Sequence, residues 1–182
     1  MVTVCPGCGI TDATGPTKGA SMPAEIERKF LVTGASWADN AGRPNSIRQA
    51  YVALSDRVSV RVRIKDAASA FLTIKSAAPT VSRVEVEVPI PIADAEELLA
   101  LRQGAVIEKQ RYPVPFGGLV WEVDVFGGEN AGLVLAEVEM PAADHALILP
   151  DWAGTEVTGD ARYYNAQLAS DPIGGATSGG AV

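Results

Sequence analysis

The chain has 182 residues, 47% of them apolar, and a formal net charge of −7. That length supports one well-cored domain with tails and not two, and the acidic balance excludes a nucleic-acid binder that relies on overall basicity. No apolar run approaches the ~20 residues needed to span a membrane, and no basic-then-apolar leader opens the chain, so the expectation is a soluble cytoplasmic protein without membrane or nucleic-acid partners.

Residues 1–21, rich in Gly, Thr, Pro and Ala and without a period, read as a disordered tail. Cys5 and Cys8 form a CxxC there, with no second pair and no nearby His to complete a four-ligand zinc set. Half a site could bridge a metal between two chains or close a local disulfide; the simpler reading is a dispensable extension. The glycines and lysine of residues 9–18 have the wrong spacing for a phosphate-binding loop. The folded domain is expected over residues 22–170, with a second loose tail over 171–182.

Period-two alternation predicts strands at residues 24–32, 46–54, 57–65, 70–75, 83–90, 106–114, 119–126 and 133–140. Ser55-Asp56 makes a hairpin of the second and third. A helix is predicted at 94–103, with acids in its first turn, Arg102 in its last, Gly104 as its stop, and Leu98 and Leu101 packed on a sheet face. Further helices are predicted at 142–149 and at 160–169, the latter with Asp160 as a candidate N-cap.

The polar faces of these strands carry segregated charge. Glu25/Glu27, Glu85/Glu87, Glu122/Asp124 and Glu137/Glu139 are acidic dyads, whereas Arg61/Arg63 and Lys109/Arg111 are basic ones. A solvated face accounts for any one strand, but a solvated set would mix its signs, because neighbouring like charges repel. Closing the eight strands into a barrel with these faces inward gathers Lys29, Arg61, Arg63, Lys75, Lys109 and Arg111 beside a wall of carboxylates. Arg and Lys together match a polyphosphate, and carboxylates without His or Cys match a hard divalent ion such as Mg²⁺ or Mn²⁺. The one histidine, His145, has no nucleophile patterned near it, so hydrolysis would fall to water activated by metal and carboxylates. By parity Gln49 and Tyr51 could also line the interior, and Trp121, opposite in parity to Glu122, is predicted to face outwards towards a helix.

The ordered set Glu25-x-Glu27-x-Lys29, Ile47-Arg48-Gln49-Ala50-Tyr51, Arg61-x-Arg63, Lys75, Glu85-x-Glu87, Lys109-x-Arg111, Glu122-x-Asp124 and Glu137-x-Glu139 resembles the CYTH domain family, the triphosphate tunnel metalloenzymes. The resemblance runs from about residue 23 to 169 and lies nearest the short bacterial inorganic triphosphatases. It implies an α+β, mainly β fold: an eight-stranded antiparallel closed barrel, with helices packed outside and a C-terminal plug helix near Arg162-Tyr163-Tyr164-Asn165. It implies Mg²⁺ or Mn²⁺ on Glu25, Glu27, Glu137 and Glu139, with Glu122 and Asp124 as further metal ligands. Glu85, Glu87, Glu122 and Asp124 would bind a second ion, orient water or hold basic side chains. Lys29, Arg61, Arg63, Lys75, Lys109 and Arg111 would grip the substrate, and Lys109, Glu85 and Glu87 are the catalytic candidates. The expected activity is metal-dependent hydrolysis of inorganic triphosphate by a monomer or homodimer. A class IV adenylate cyclase, a thiamine triphosphatase, a nucleoside triphosphatase and a non-catalytic polyphosphate- or nucleotide-binding module are the alternatives.

Overall fold

A computed structural model describes residues 26–76, 84–142 and 144–174. Cys5, Cys8, Glu25 and the first residue of the fifth predicted strand lie outside the described residues. Nine strands form one antiparallel sheet: β1 (Ile26–Val32), β2 (Asn45–Leu54), β3 (Val58–Lys65), β4 (Ser69–Ser76), β5 (Glu85–Ile90), β6 (Gln103–Phe116), β7 (Leu119–Phe126), β8 (Val134–Met140) and β9 (Ala153–Glu156). Two helices, α1 (Ile92–Ala100) and α2 (Asn165–Ser170), complete the described elements with three short 3₁₀ turns.

The strand order is β5-β4-β3-β2-β6-β7-β8-β1-β9, so β5 and β9 are the edges of the sheet among the described residues. The expected eight-stranded closed barrel is therefore corrected to an open nine-stranded sheet. The additional strand, β9, pairs with β1 at Phe30 and Val32 and occupies the edge that closure would have used. The sheet is nonetheless strongly coiled. Glu27 and Lys29 on β1 line the same cavity as Glu85 and Glu87 on β5, although six strands separate β1 from β5 in the sheet order. Side chains from seven strands line one cavity on the concave side.

The convex face is apolar. Phe30, Val114, Trp121, Val123, Val138 and Trp152 form one buried cluster, with Trp121 5.4 Å from Phe30 and 5.3 Å from Trp152 between ring centroids. Trp121 faces outwards as expected, but what covers it is the irregular segment carrying Leu147 and Trp152, not a helix. The helix predicted over 142–149 does not form at its described residues. Pro141 and Pro150 bracket a stretch too short to sustain a helix on its own, and Pro150 pushes its predecessor out of the helical region.

A second convex cluster joins Ala50, Val62, Ile64 and Ala70 to Ala95 and Leu99 of α1. This helix starts earlier than predicted, directly after Pro91, whose fixed φ suits a helix start. Its buried stripe becomes Ala95 and Leu99, with Ile92 and Leu98 at the margin, and Leu101, predicted to be buried, is 67% exposed. The chain from Gln103 onward is β6 rather than helix end. That strand also runs past Pro113 and Pro115, because its last residues pair only with β7 and the prolines need no partner on the other side.

The third cluster lies on the concave face, at one end. Ile107, Phe126 and Leu135 share parity with the inward charges of their strands and Tyr51 with Gln49, and all four pack with Leu168 and Ala169 of α2 in one cluster. Gly104, at φ +75°, permits that contact: a Cβ there would stand 2.2 Å from the Ala169 carbonyl oxygen. The helix predicted over 160–169 is divided. Asp160 accepts a bond from the Arg162 amide and caps a 3₁₀ turn, Ala161–Tyr163, and α2 follows. Residues 172–174, expected to be loose, are tied down, for the Ile173 amide donates to Asn130 Oδ1 at 3.0 Å.

Candidate active site

The strand registers stack the concave side chains in layers. At the end away from α2, Glu27 faces Glu139 across β1 and β8, and Glu122 faces Glu137 across β7 and β8. These four carboxylates and Val120 line a cavity of about 270 Å³. The middle layer is mixed: Lys29 opposes Glu137, Arg111 opposes Asp124, and Gln49 opposes Arg63. Towards α2 the surface becomes apolar, with Leu31, Leu135, Phe126, Ile107 and Tyr51.

A second cavity, about 340 Å³, is lined by all six expected substrate-binding cations, Lys29, Arg61, Arg63, Lys75, Lys109 and Arg111, together with Gln49, Glu85, Glu87 and Asn165. Glu27 and Glu137 line both cavities and form the wall between them.

Ion pairs hold much of this charge in place. Lys29 Nζ lies 2.8 Å from Glu137 and 3.6 Å from Glu27. Arg111 spans three acids: it forks onto Asp124 at 2.6 and 2.7 Å, reaches Glu137 at 2.6 Å and also bonds Glu122. Burial alone would raise the Glu137 carboxyl, but Lys109, Lys29 and Arg111 draw it down to about 2. Glu27 moves the other way, lifted by burial and by the Glu137 charge. Burial pushes the Lys109 ammonium down, against the pull of Asp124.

Asp124, expected among the metal ligands, lies elsewhere. It is 0% exposed, lines neither cavity, and receives Lys109 Nζ at 2.5 Å as well as the Arg111 fork. Glu85 and Glu87, two of the catalytic candidates, sit on edge strand β5, where Glu85 pairs with Lys75 at 2.9 Å and Glu87 accepts from Thr73 Oγ1 at 2.7 Å. They line the cation cavity and not the carboxylate one. Arg63 forms no ion pair among the described residues; its Nε donates to Gln49 Oε1 at 3.3 Å, and burial and the adjacent Arg61 both disfavour its charge.

One residue of the site is not singled out in the sequence. Thr73, 1% exposed, bridges Arg61 and Glu87, and the shared parity with Lys75 was the available signal. Asn165, which the resemblance places in the plug segment, reaches the cation cavity from the first residue of α2.

A CYTH domain family model matches residues 23–167. The chain belongs to the CYTH family. It is 44% identical over 152 residues to an inorganic triphosphatase of Acetivibrio thermocellus, covering 83% of this chain and 96% of that one. An inorganic triphosphatase of Nitrosomonas europaea is 40% identical over 150 residues, covering 80% and 96%. Among solved structures, that of the inorganic triphosphatase NE1496 aligns with a TM-score of 0.65 at 35% identity, over 86% of this chain and all of that one. Among the described residues no helix is long and apolar enough to cross a membrane.

Proposed function

We propose that this CYTH protein hydrolyses inorganic triphosphate to pyrophosphate and phosphate with the help of a divalent cation. The observation that carries the reading is the pair of adjoining cavities, one lined by six cations and the other by four carboxylates, with Glu27 and Glu137 between them. Arg63, charged and without a carboxylate of its own among the described residues, marks where an anion is wanted. The names of the two relatives support triphosphate as that anion.

The carboxylate cavity fits a hard divalent ion. Its donors are all oxygens, and its like-charged cross-strand pairs and the raised Glu27 carboxyl are the signature of negative charge short of compensation. Among the described residues no three such side chains are arranged as a ligand set, because Glu122 and Glu137 are turned to Arg111 and Lys29. Glu27, Glu122, Glu137 and Glu139, with Glu25, are the residues that would hold Mg²⁺ or Mn²⁺, which supplies charge neutralisation at the phosphoryl oxygens.

The chain's own part is positioning and electrostatics. Arg61, Arg63, Lys75 and Lys29 fix the phosphate chain, and Arg111 and Lys109, themselves fixed by Asp124, face its middle. Water attacks the terminal phosphorus from the carboxylate side. The new P–O bond forms as the bridging P–O bond breaks, pyrophosphate leaves with the electron pair, and a carboxylate of that cluster not engaged by the cation accepts the water proton. Phosphate release with Mg²⁺ or Mn²⁺, compared for triphosphate, pyrophosphate, ATP and thiamine triphosphate, tests the reading. One phosphate and one pyrophosphate per triphosphate, with the others slow, is the expected result. Preference for ATP or thiamine triphosphate, or no release at all, would overturn it.

A further inference from the structure

Three buried polar atoms on the wall of the cation cavity have no hydrogen-bond partner among the described residues: Gln49 Nε2, Arg61 Nε and Asn165 Oδ1. Gln49 is 1% exposed. Its amide can stand only one way round, because Arg63 Nε, which donates and cannot accept, lies 3.3 Å from one end, and that end must be the oxygen. The amide nitrogen is thereby left with its hydrogens unused, and a buried donor in that state is destabilising. Six cations already supply attraction for a polyanion. Individual donors add direction, since each bonds one particular oxygen: Gln49 Nε2 and Arg61 Nε do so as they stand, whereas the Asn165 carboxamide can do so only through its Nδ2, because its Oδ1 accepts.

Their level in the fold says which oxygens. Gln49 is flanked in register by Arg63 on one side and Ile107 on the other, and two residues further along its strand stands Tyr51. Asn165 opens α2, one turn before Leu168. Both amides therefore mark the boundary at which the charged wall gives way to Tyr51, Ile107 and Leu168, the last two 0% exposed. A ligand group at that boundary has packed side chains beyond it and no space for a substituent.

We propose that Gln49 and Asn165, with Arg61 Nε, bind a terminal phosphoryl group at the closed end of the cavity and admit it only when it carries no organic ester. The proposal rests on the triphosphate reading above and adds a direction to it: the far end of the substrate lodges under α2, and the reacting end lies towards Glu27 and Glu139.

Calorimetric titration of the full chain with triphosphate, without divalent metal so that nothing is turned over, tests it in Gln49→Met and Asn165→Ala. Each variant is expected to bind triphosphate about ten-fold more weakly, the loss of one hydrogen bond to a charged acceptor. The salt dependence of its affinity should remain that of the wild type, because no charge has been removed. Unchanged affinity in both variants, or a weakened affinity whose salt dependence also falls, overturns the proposal; the second result would mean that the amides only hold the cations in place. Should Gln49→Met fail to fold, Asn165→Ala, at a partly exposed position, decides alone. A wild type that hydrolyses triphosphate while both variants bind it normally defeats this proposal only, whereas a wild type that neither binds nor hydrolyses it defeats the function as well.

Discussion

Glu27 and Glu139 stand directly opposite one another in the β1–β8 register, two carboxylates in a pairing that opposes folding. Burial and Glu137 also lift the Glu27 carboxyl above its usual range. A carboxyl whose pKa rises on folding weakens the folded state at any pH above both values, neutrality included. Glu27→Gln is expected to raise the Tm of the metal-free protein at pH 7 by a few degrees and to lose the further rise that Mg²⁺ with triphosphate gives the wild type. Scanning calorimetry with and without both ligands measures the two effects, and a lowered metal-free Tm would mean that Lys29 over-compensates the charge.

Asp124 is the counter-charge for two cations at once, and Lys109 is too deeply buried for water to replace it. Asp124→Asn should therefore destabilise the protein by about 3–5 kcal/mol, the usual consequence of stranding a buried charge. Lys109 and Arg111 also line the cation cavity, so triphosphate should restore more stability to the variant than it gives the wild type. Urea unfolding at matched ligand concentrations checks this. Equal gains would show that neither cation reaches the substrate.

The same argument gives a pH dependence. Glu137 is drawn from its usual 4.5 to about 2 by Lys109, Lys29 and Arg111 in spite of its burial. A carboxyl depressed on folding contributes stability that is complete above the unfolded value and is lost as the pH falls through the folded one. The metal-free protein should lose Tm steadily from about pH 4.5 to pH 2, and Glu137→Gln should flatten that slope while lowering stability at pH 7. A slope unchanged in the variant would assign acid sensitivity to other carboxylates.

The charged dyads were legible because side-chain parity in a strand is local. Arg61-x-Arg63, Lys109-x-Arg111 and Glu137-x-Glu139 all reach the concave face that their spacing predicted. What parity cannot express is partnership across strands. Nothing local distinguishes Asp124 from Glu122, yet one is sealed under Lys109 and the other lines the carboxylate cavity. Sheet closure is also non-local: it turns on whether β9, four residues of unremarkable Ala-Gly-Thr-Glu, takes the β1 edge. The segment over 142–149 reads as helix because Ala and Leu favour helices, whereas at its described residues the bracketing prolines and the packing of Leu147 against the Trp121 cluster decide otherwise.

Asn130 is fully buried and uses both ends of its amide on the C-terminal segment, donating to the Leu168 carbonyl at 3.1 Å and accepting from the Ile173 amide at 3.0 Å. Asn130→Ala leaves those two backbone groups without partners at a loss of about 1–3 kcal/mol. Because α2 closes one end of the cavity, the variant should also bind triphosphate more weakly. Limited proteolysis should cut it first near residues 165–174. Cleavage elsewhere, with the C-terminal segment still protected, would show that the Leu168 and Ala169 contacts hold α2 unaided.

Lys75 separates a binding role from a structural one. Its side chain is 43% exposed and pairs with an equally exposed Glu85 at 2.9 Å, a pair worth at most about 1 kcal/mol. Reversing its charge in Lys75→Glu should leave the fold intact, because β4 is held by its ladders to β3 and β5 and not by this contact. The same change places a carboxylate on the wall of the cation cavity beside Glu85 and Glu87. Triphosphate affinity should fall by two orders of magnitude or so, as expected of roughly 3 kcal/mol of lost and reversed attraction. Near-UV circular dichroism would establish that the fold persists, and titration would give the affinity. A folded variant that binds as well as the wild type would place the phosphate chain away from β4, between Lys29, Arg63 and Arg111 alone.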